Sequence, residues 1–144
     1  MEFFVLHRPK EILVVEDSAS DTKMVLWALD KNSAGKNVVT LMDGGQALMY
    51  LKTREDGLKP DLILLDLNMP KKDGWEVLAE CKSDETLKAI PIVVFSTSQL
   101  QSDVNRCYDL GANSFITKPF ELNEFLAAIA MIENYWLGTS VSGA

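Results

Sequence analysis

The sequence predicts an α/β fold: one five-stranded parallel sheet, doubly wound, with helices on both faces. Short unbroken apolar runs such as Ile12-Leu13-Val14-Val15, Leu62-Ile63-Leu64-Leu65 and Ile92-Val93-Val94-Phe95 read as strands covered on both faces. A segment with apolar residues at helical spacing follows each strand, and the alternation repeats five times. Right-handed crossovers and one change of winding direction then open a crevice at the carboxyl ends of the strands.

The elements follow in order. After the first strand, Ser18 to Ser20 offer N-caps for a helix carrying Val25, Leu26 and Leu29. Asn37 to Met42 reads as the second strand, and Asp43 caps a helix with Ala47, Leu48 and Leu51 that ends near Gly57. Pro60 precedes the third strand, which runs directly into Asp66. A loop containing Pro70, Lys71, Lys72, Asp73 and Gly74 leads to a helix with Val77, Leu78 and Cys81. Pro91 introduces the fourth strand, and Ser98 is the expected cap of a helix with Val104, Cys107 and Leu110 that stops at Gly111. Ser114-Phe115-Ile116-Thr117 is a short fifth strand, and the last helix runs from near Glu121 to about Trp136. The expected domain spans 11–136, with a lead-in over 1–10 and a flexible Ser/Gly-rich tail over 137–144.

A chain of 144 residues suits one hydrophobic core. Fourteen basic against twenty-one acidic residues leave a net charge of -7, the wrong sign for non-specific nucleic-acid binding. No Lys/Arg run would attract an anionic membrane, and no apolar run is long enough to span one. Phe3-Phe4-Val5-Leu6 is too brief for a signal-peptide core, so the expected location is cytoplasmic. Cys81 and Cys107 lack metal-ligand spacing and read as reduced thiols in helices. His7 is the only histidine and lies in the lead-in, which argues against a His-dependent triad.

The strand ends carry the chemistry. Glu16-Asp17 closes the first apolar run, Asp66 the third, Ser96 the fourth, and Lys118-Pro119 the fifth. Alone, each has an ordinary reading: a strand-end Asp is usually a cap or turn former, and Lys-Pro a turn. In a parallel sheet, however, all four ends share one rim. Carboxylates brought together there repel, and a hard dication with oxygen ligands removes the conflict. Asp17 and Asp66 are the expected direct ligands of Mg²⁺, with Glu16 acting through water and the Asn68 carbonyl adding an oxygen. Asp66 is also the expected nucleophile, forming an aspartyl-phosphate. Lys118 would meet the negative charge of the phosphoryl group, and the Ser96 hydroxyl would donate to one of its oxygens.

This order of residues, with Met69-Pro70, Asp73-Gly74 and Lys118-Pro119-Phe120 in place, resembles the receiver domain of two-component response regulators over about residues 11 to 135. The resemblance implies a flavodoxin-like fold, Mg²⁺ dependence, and phosphorylation of Asp66 by a sensor histidine kinase. The stretch from Leu65 to Gly74 and the ending Glu133-Asn134-Tyr135-Trp136 are similar to the small single-domain regulators that serve bacterial phytochromes. The family's aromatic switch position falls on Phe115, which lacks the hydroxyl of the commoner tyrosine, and Thr97 stands where alanine is frequent.

The expected output is a two-state switch of the face formed by the fourth helix, fifth strand and fifth helix, biased by the phosphoryl charge. In the last helix, Leu122, Phe125, Leu126, Ile129 and Ile132 form a core stripe. Ala127, Ala128, Ala130, Met131 and Tyr135 leave its other faces apolar, consistent with a homodimer or partner interface or with simple tolerance of alanine. Ala19, Ser20, Thr22 and Lys23 are candidates for kinase docking or an ordinary solvated helix start. A relay intermediate passing its phosphate to a second histidine protein is an alternative role. A Mg²⁺-dependent phosphohydrolase is a further one, but its acid-base aspartate would fall where Asn68 stands.

Overall fold

The computed structural model describes residues 9–32, 36–69 and 73–138. His7, the Pro70-Lys71-Lys72 step and the tail beyond 138 lie outside these residues. Five strands and five helices alternate: β1 (Glu11–Val15), α1 (Ala19–Asn32), β2 (Asn37–Leu41), α2 (Gly44–Lys52), β3 (Leu62–Leu65), α3 (Gly74–Ser83), β4 (Ile92–Ser96), α4 (Gln101–Leu110), β5 (Ser114–Thr117) and α5 (Leu122–Leu137). All strand pairs are parallel, in the order β2-β1-β3-β4-β5.

Alternation within each strand splits the core into two layers. Leu13, Val15, Ile63, Leu65, Ile92 and Val94 face α2, α3 and Cys107 of α4. Ile12, Val14, Leu62, Leu64, Val93 and Phe95 face α1 and α5, where Phe95 meets Phe125 edge to face at 5.1 Å. Both cysteines are free and buried, as expected. The three inner strands β1, β3 and β4 are buried along their whole length, which is why they read as continuous apolar runs, whereas the edge strand β2 exposes Asn37 and Thr40.

The helices start where their caps allow. The Ser18 hydroxyl accepts the Asp21 N–H at 3.2 Å at the start of α1. Asp43 caps α2 through the Gln46 N–H, and Asp73 forms a reciprocal capping box with Glu76 on α3. Three expectations need correction. Ser98 does not cap α4: the N-cap is Leu100, and the Ser98 hydroxyl instead accepts the Leu100 N–H and donates to Asp103 at 2.6 Å. Helix α2 ends at Thr53, whose hydroxyl bonds the Met49 carbonyl, well before the positive-φ turn at Gly57. Leu122 opens α5 at the rim and is 46% exposed, so the buried stripe begins only at Phe125.

Among the described residues, no helix is long and apolar enough to cross a membrane.

Candidate functional site

The chain leaves β1 to form β2 on one side and then crosses to β3 on the other, so the winding reverses between β1 and β3. Ladder bonds extend one residue past the strands at this point. The Glu16 N–H donates to the Leu41 carbonyl and the Asp66 N–H to the Val15 carbonyl, both at 3.0 Å. Across the sheet, the Lys118 N–H donates to the Ser96 carbonyl at 2.8 Å. The Glu16, Asp66 and Lys118 side chains are therefore fixed by backbone that behaves as sheet.

The structure brings Glu16, Asp17 and Asp66 together as the sequence predicts, with one carboxylate oxygen from each lying within 4.8 Å of the others. An all-oxygen set of this kind suits a hard divalent cation. Lys118 reaches the same rim from β5 and is only 5% exposed. Its ammonium donates to Glu16 Oε1 at 2.6 Å and to Asp21 Oδ2 at 2.7 Å, and stands 3.8 Å from Asp66 Oδ2. The second Glu16 oxygen accepts the Ser18 N–H at 3.1 Å.

Burial sets the electrostatics. Desolvation pushes the Glu16 carboxyl up to about 7; the Lys118 hydrogen bond opposes this and the Asp66 charge adds to it. Asp66 is also raised by burial, against the pull of Lys118, a hydrogen bond with Glu16 and the Asn68 backbone N–H. For Lys118, burial disfavours the charge, but the bonds to Asp21 and Glu16 outweigh it and the ammonium is held more firmly protonated than usual. Four carboxylates and one ammonium leave a surplus of negative charge, which a dication would offset.

The remaining predicted residues surround this centre. Ser96 is buried at the end of β4, and its hydroxyl accepts the Ser98 N–H at 3.3 Å. Thr117 ties the same loop from β5 by donating to the Ser98 carbonyl at 3.3 Å. Phe115 is half-buried against the layer containing α2 and α3, and its backbone N–H donates to the Tyr108 hydroxyl at 3.1 Å. The phenol that residue 115 lacks is thus present nearby, on α4. Asn68 is exposed two residues beyond Asp66.

Two residues of the site had no role assigned to them from sequence. Asp21 supplies the second carboxylate on Lys118; its only signal is an acidic residue four positions past Asp17, in the first turn of a helix that starts at the rim. Gly74 is required by close approach: a Cβ there would lie 2.1 Å from the Asp66 carbonyl oxygen and 2.5 Å from Leu67 Cα. Its N–H donates to the Leu67 carbonyl at 2.9 Å, folding the loop after Asp66 back on itself.

A doubly wound five-stranded sheet with an acidic triplet and a buried lysine at its switch point defines a phosphoryl-accepting signalling domain. Residues 12–130 match the response regulator receiver domain family, and the chain belongs to it. Members of this family signal rather than catalyse, taking a phosphoryl group on an aspartate beside a divalent cation. Response regulator Rcp1 of Synechocystis sp. is 42% identical over 134 residues, which cover 91% of this chain and 91% of that protein. The phosphorylated cyanobacterial phytochrome response regulator RcpA has a similar structure, with a TM-score of 0.86, 46% identity and coverage of 92% of this chain and 97% of that one. The Mn²⁺-bound form of Rcp1 gives a TM-score of 0.85 at 42% identity, covering 94% of this chain and 100% of that one.

Proposed function

We propose that Asp66 accepts a phosphoryl group from the phosphohistidine of a sensor histidine kinase in a Mg²⁺-dependent reaction, and that the protein then switches its α4-β5-α5 face toward a partner. The convergence of Glu16, Asp17 and Asp66 on one point, with the Lys118 ammonium 3.8 Å from Asp66, carries this reading. Asp17 and Asp66 would hold Mg²⁺ directly, Glu16 through water, and the Asn68 carbonyl would add a third direct protein oxygen. When bound, the cation offsets the charge of the carboxylates and of the incoming phosphoryl oxygens.

In the transfer step an Asp66 oxygen attacks phosphorus, the P–N bond to the donor histidine breaks, and an acyl phosphate forms. Lys118 moves from Glu16 and Asp21 to a phosphoryl oxygen, and the Ser96 hydroxyl donates to another. The same hydroxyl accepts the Ser98 N–H, so its reorientation toward the phosphoryl group would be passed to the β4–α4 loop. The phosphoryl group adds about 1.5 to 2 negative charges, enough to bias two states a few kcal/mol apart. The protein promotes only its own phosphorylation and the hydrolysis that reverses it.

The likeness to RcpA and Rcp1 supports a bacterial phytochrome as the kinase. Ala19, Ser20 and Lys23 are exposed and Thr22 half-buried at the start of α1, beside the rim, as a kinase contact requires. The donor phosphohistidine is made from ATP, which supports the cytoplasm as the compartment. A homodimer through α4-β5-α5 is supported by exposed Met131 and Tyr135, which border an apolar cleft of about 220 Å³ between β5 and α5.

Incubation with acetyl phosphate and Mg²⁺, followed by intact-mass measurement, tests the central step. One phosphoryl adduct is expected on the wild type and none on Asp66→Ala. Equal labelling of the two proteins would refute it.

A further inference from the structure

The mechanism above uses Lys118 as a cation that reaches the phosphoryl group, yet in this structure the ammonium is engaged elsewhere. An ammonium has three N–H donors. Two go to Glu16 and Asp21 at 2.6 and 2.7 Å, and the third is left on the side of Asp66, 3.8 Å away and beyond direct hydrogen-bond length. Glu16 offers the lysine one oxygen, its other being committed to the Ser18 N–H, so the second short contact on the ammonium comes from Asp21. Asp21 approaches from α1, an element that contributes no other side chain to the ammonium. It is itself fixed by its backbone N–H on the Ser18 hydroxyl.

We infer that Asp21 is a positioning residue: it holds the Lys118 ammonium off Asp66 in the unphosphorylated protein, leaving the Asp66 carboxylate open to the cation and the phosphoryl donor. The inference rests on the function proposed above and deepens it. Without Asp21 the nearest remaining partner for the second N–H is Asp66. The ammonium then closes to contact and competes with the dication for the same oxygen lone pairs. Phosphorylation reverses the preference, since a phosphoryl oxygen offers Lys118 a stronger acceptor than Asp21 does.

An acidic residue in the first turn also favours the helix dipole, a role that does not pass through Lys118. A double-mutant cycle separates the two. Mg²⁺ affinity is measured by titration calorimetry for wild type, Asp21→Ala, Lys118→Met and the double variant. Asp21→Ala is expected to weaken Mg²⁺ about tenfold when Lys118 is present, the scale of a hydrogen bond to a charged group. In the Lys118→Met background the loss should be no more than about twofold, from screened charge alone. Asp21→Asn, which keeps an acceptor oxygen of the same shape, should fall between wild type and Asp21→Ala. It also replaces Asp21→Ala in the cycle if circular dichroism shows the alanine variant unfolded. Equal losses in the two backgrounds, or no loss in either, would overturn the inference. If the wild type itself binds no Mg²⁺ and takes no label from acetyl phosphate, the proposed function fails with it; a wild type that does both while the cycle is additive sinks this inference only.

Discussion

Gly74 gives the most sharply defined mechanical test. The first residue of α3 is pressed against the backbone that carries Asp66, and adding one methyl group places it 2.1 Å from the Asp66 carbonyl oxygen, where ordinary contact begins near 3.4 Å. The obstructing atoms are backbone, so no side-chain rotation relieves the overlap of more than 1 Å. Either α3 moves out or Asp66 moves down. The Gly74 N–H bond to the Leu67 carbonyl is lost in both cases. A lost buried hydrogen bond costs about 1–3 kcal/mol, and overpacking adds about 1–3 kcal/mol, so Gly74→Ala should destabilise by about 2–6 kcal/mol. Urea denaturation at fixed pH measures this, and Mg²⁺ titration under native conditions should show weaker binding because the ligand carboxylate has shifted. A variant that unfolds within about 0.5 kcal/mol of wild type and binds Mg²⁺ equally well would refute the close-approach argument.

The other predictions concern charge and the sheet's polar seams. Burial raises the folded Glu16 pKa to about 7 from an ordinary 4.5, so between these values the folded state keeps a proton that the unfolded chain has released. Stability of the metal-free protein should therefore fall as pH rises from 4.5 to 7, by up to about 3 kcal/mol, and Glu16→Gln should lack that fall. Denaturant titrations across the window check it, and identical slopes for both proteins would contradict it. Asn113 Oδ1 accepts the Ile92 N–H at 2.9 Å and the Lys82 ammonium at 3.0 Å, so Asn113→Ala should cost about 1–3 kcal/mol and speed exchange of the Ile92 amide. Unchanged protection of that amide would show the seam to be dispensable. Ser96→Ala should phosphorylate with unchanged Mg²⁺ affinity but show a smaller change at the Tyr108 and Phe115 amides on addition of beryllofluoride; a full-sized change would remove Ser96 from the switch.

The strands and the rim were legible because their signals are local. Strands buried on both faces are continuous apolar runs, and the residue that ends each run lies at the edge where all strand ends meet. Asp66, Glu16, Asp17, Ser96 and Lys118 needed only that one geometric step. Asp21 did not follow, since its partner is 97 residues away and nothing in a helix's first turn distinguishes a dipole-favouring carboxylate from a lysine ligand. The space at Gly74 is likewise set by the loop folding onto Asp66. Ser98 shows how turn chemistry misleads. Its hydroxyl has the right type for an N-cap, but a pull from Asp103 leaves that place to Leu100. Leu122 keeps the helical spacing of the stripe but lies one turn beyond the edge of the sheet it would cover.

The most direct measurement is an anomalous difference map from crystals of this protein soaked in Mn²⁺. A single strong peak bounded by Asp17 and Asp66, with Glu16 next to it and the Lys118 ammonium on the opposite side of Asp66, is the predicted result. A map with no peak at that rim, or with the cation held by other carboxylates, would contradict the account.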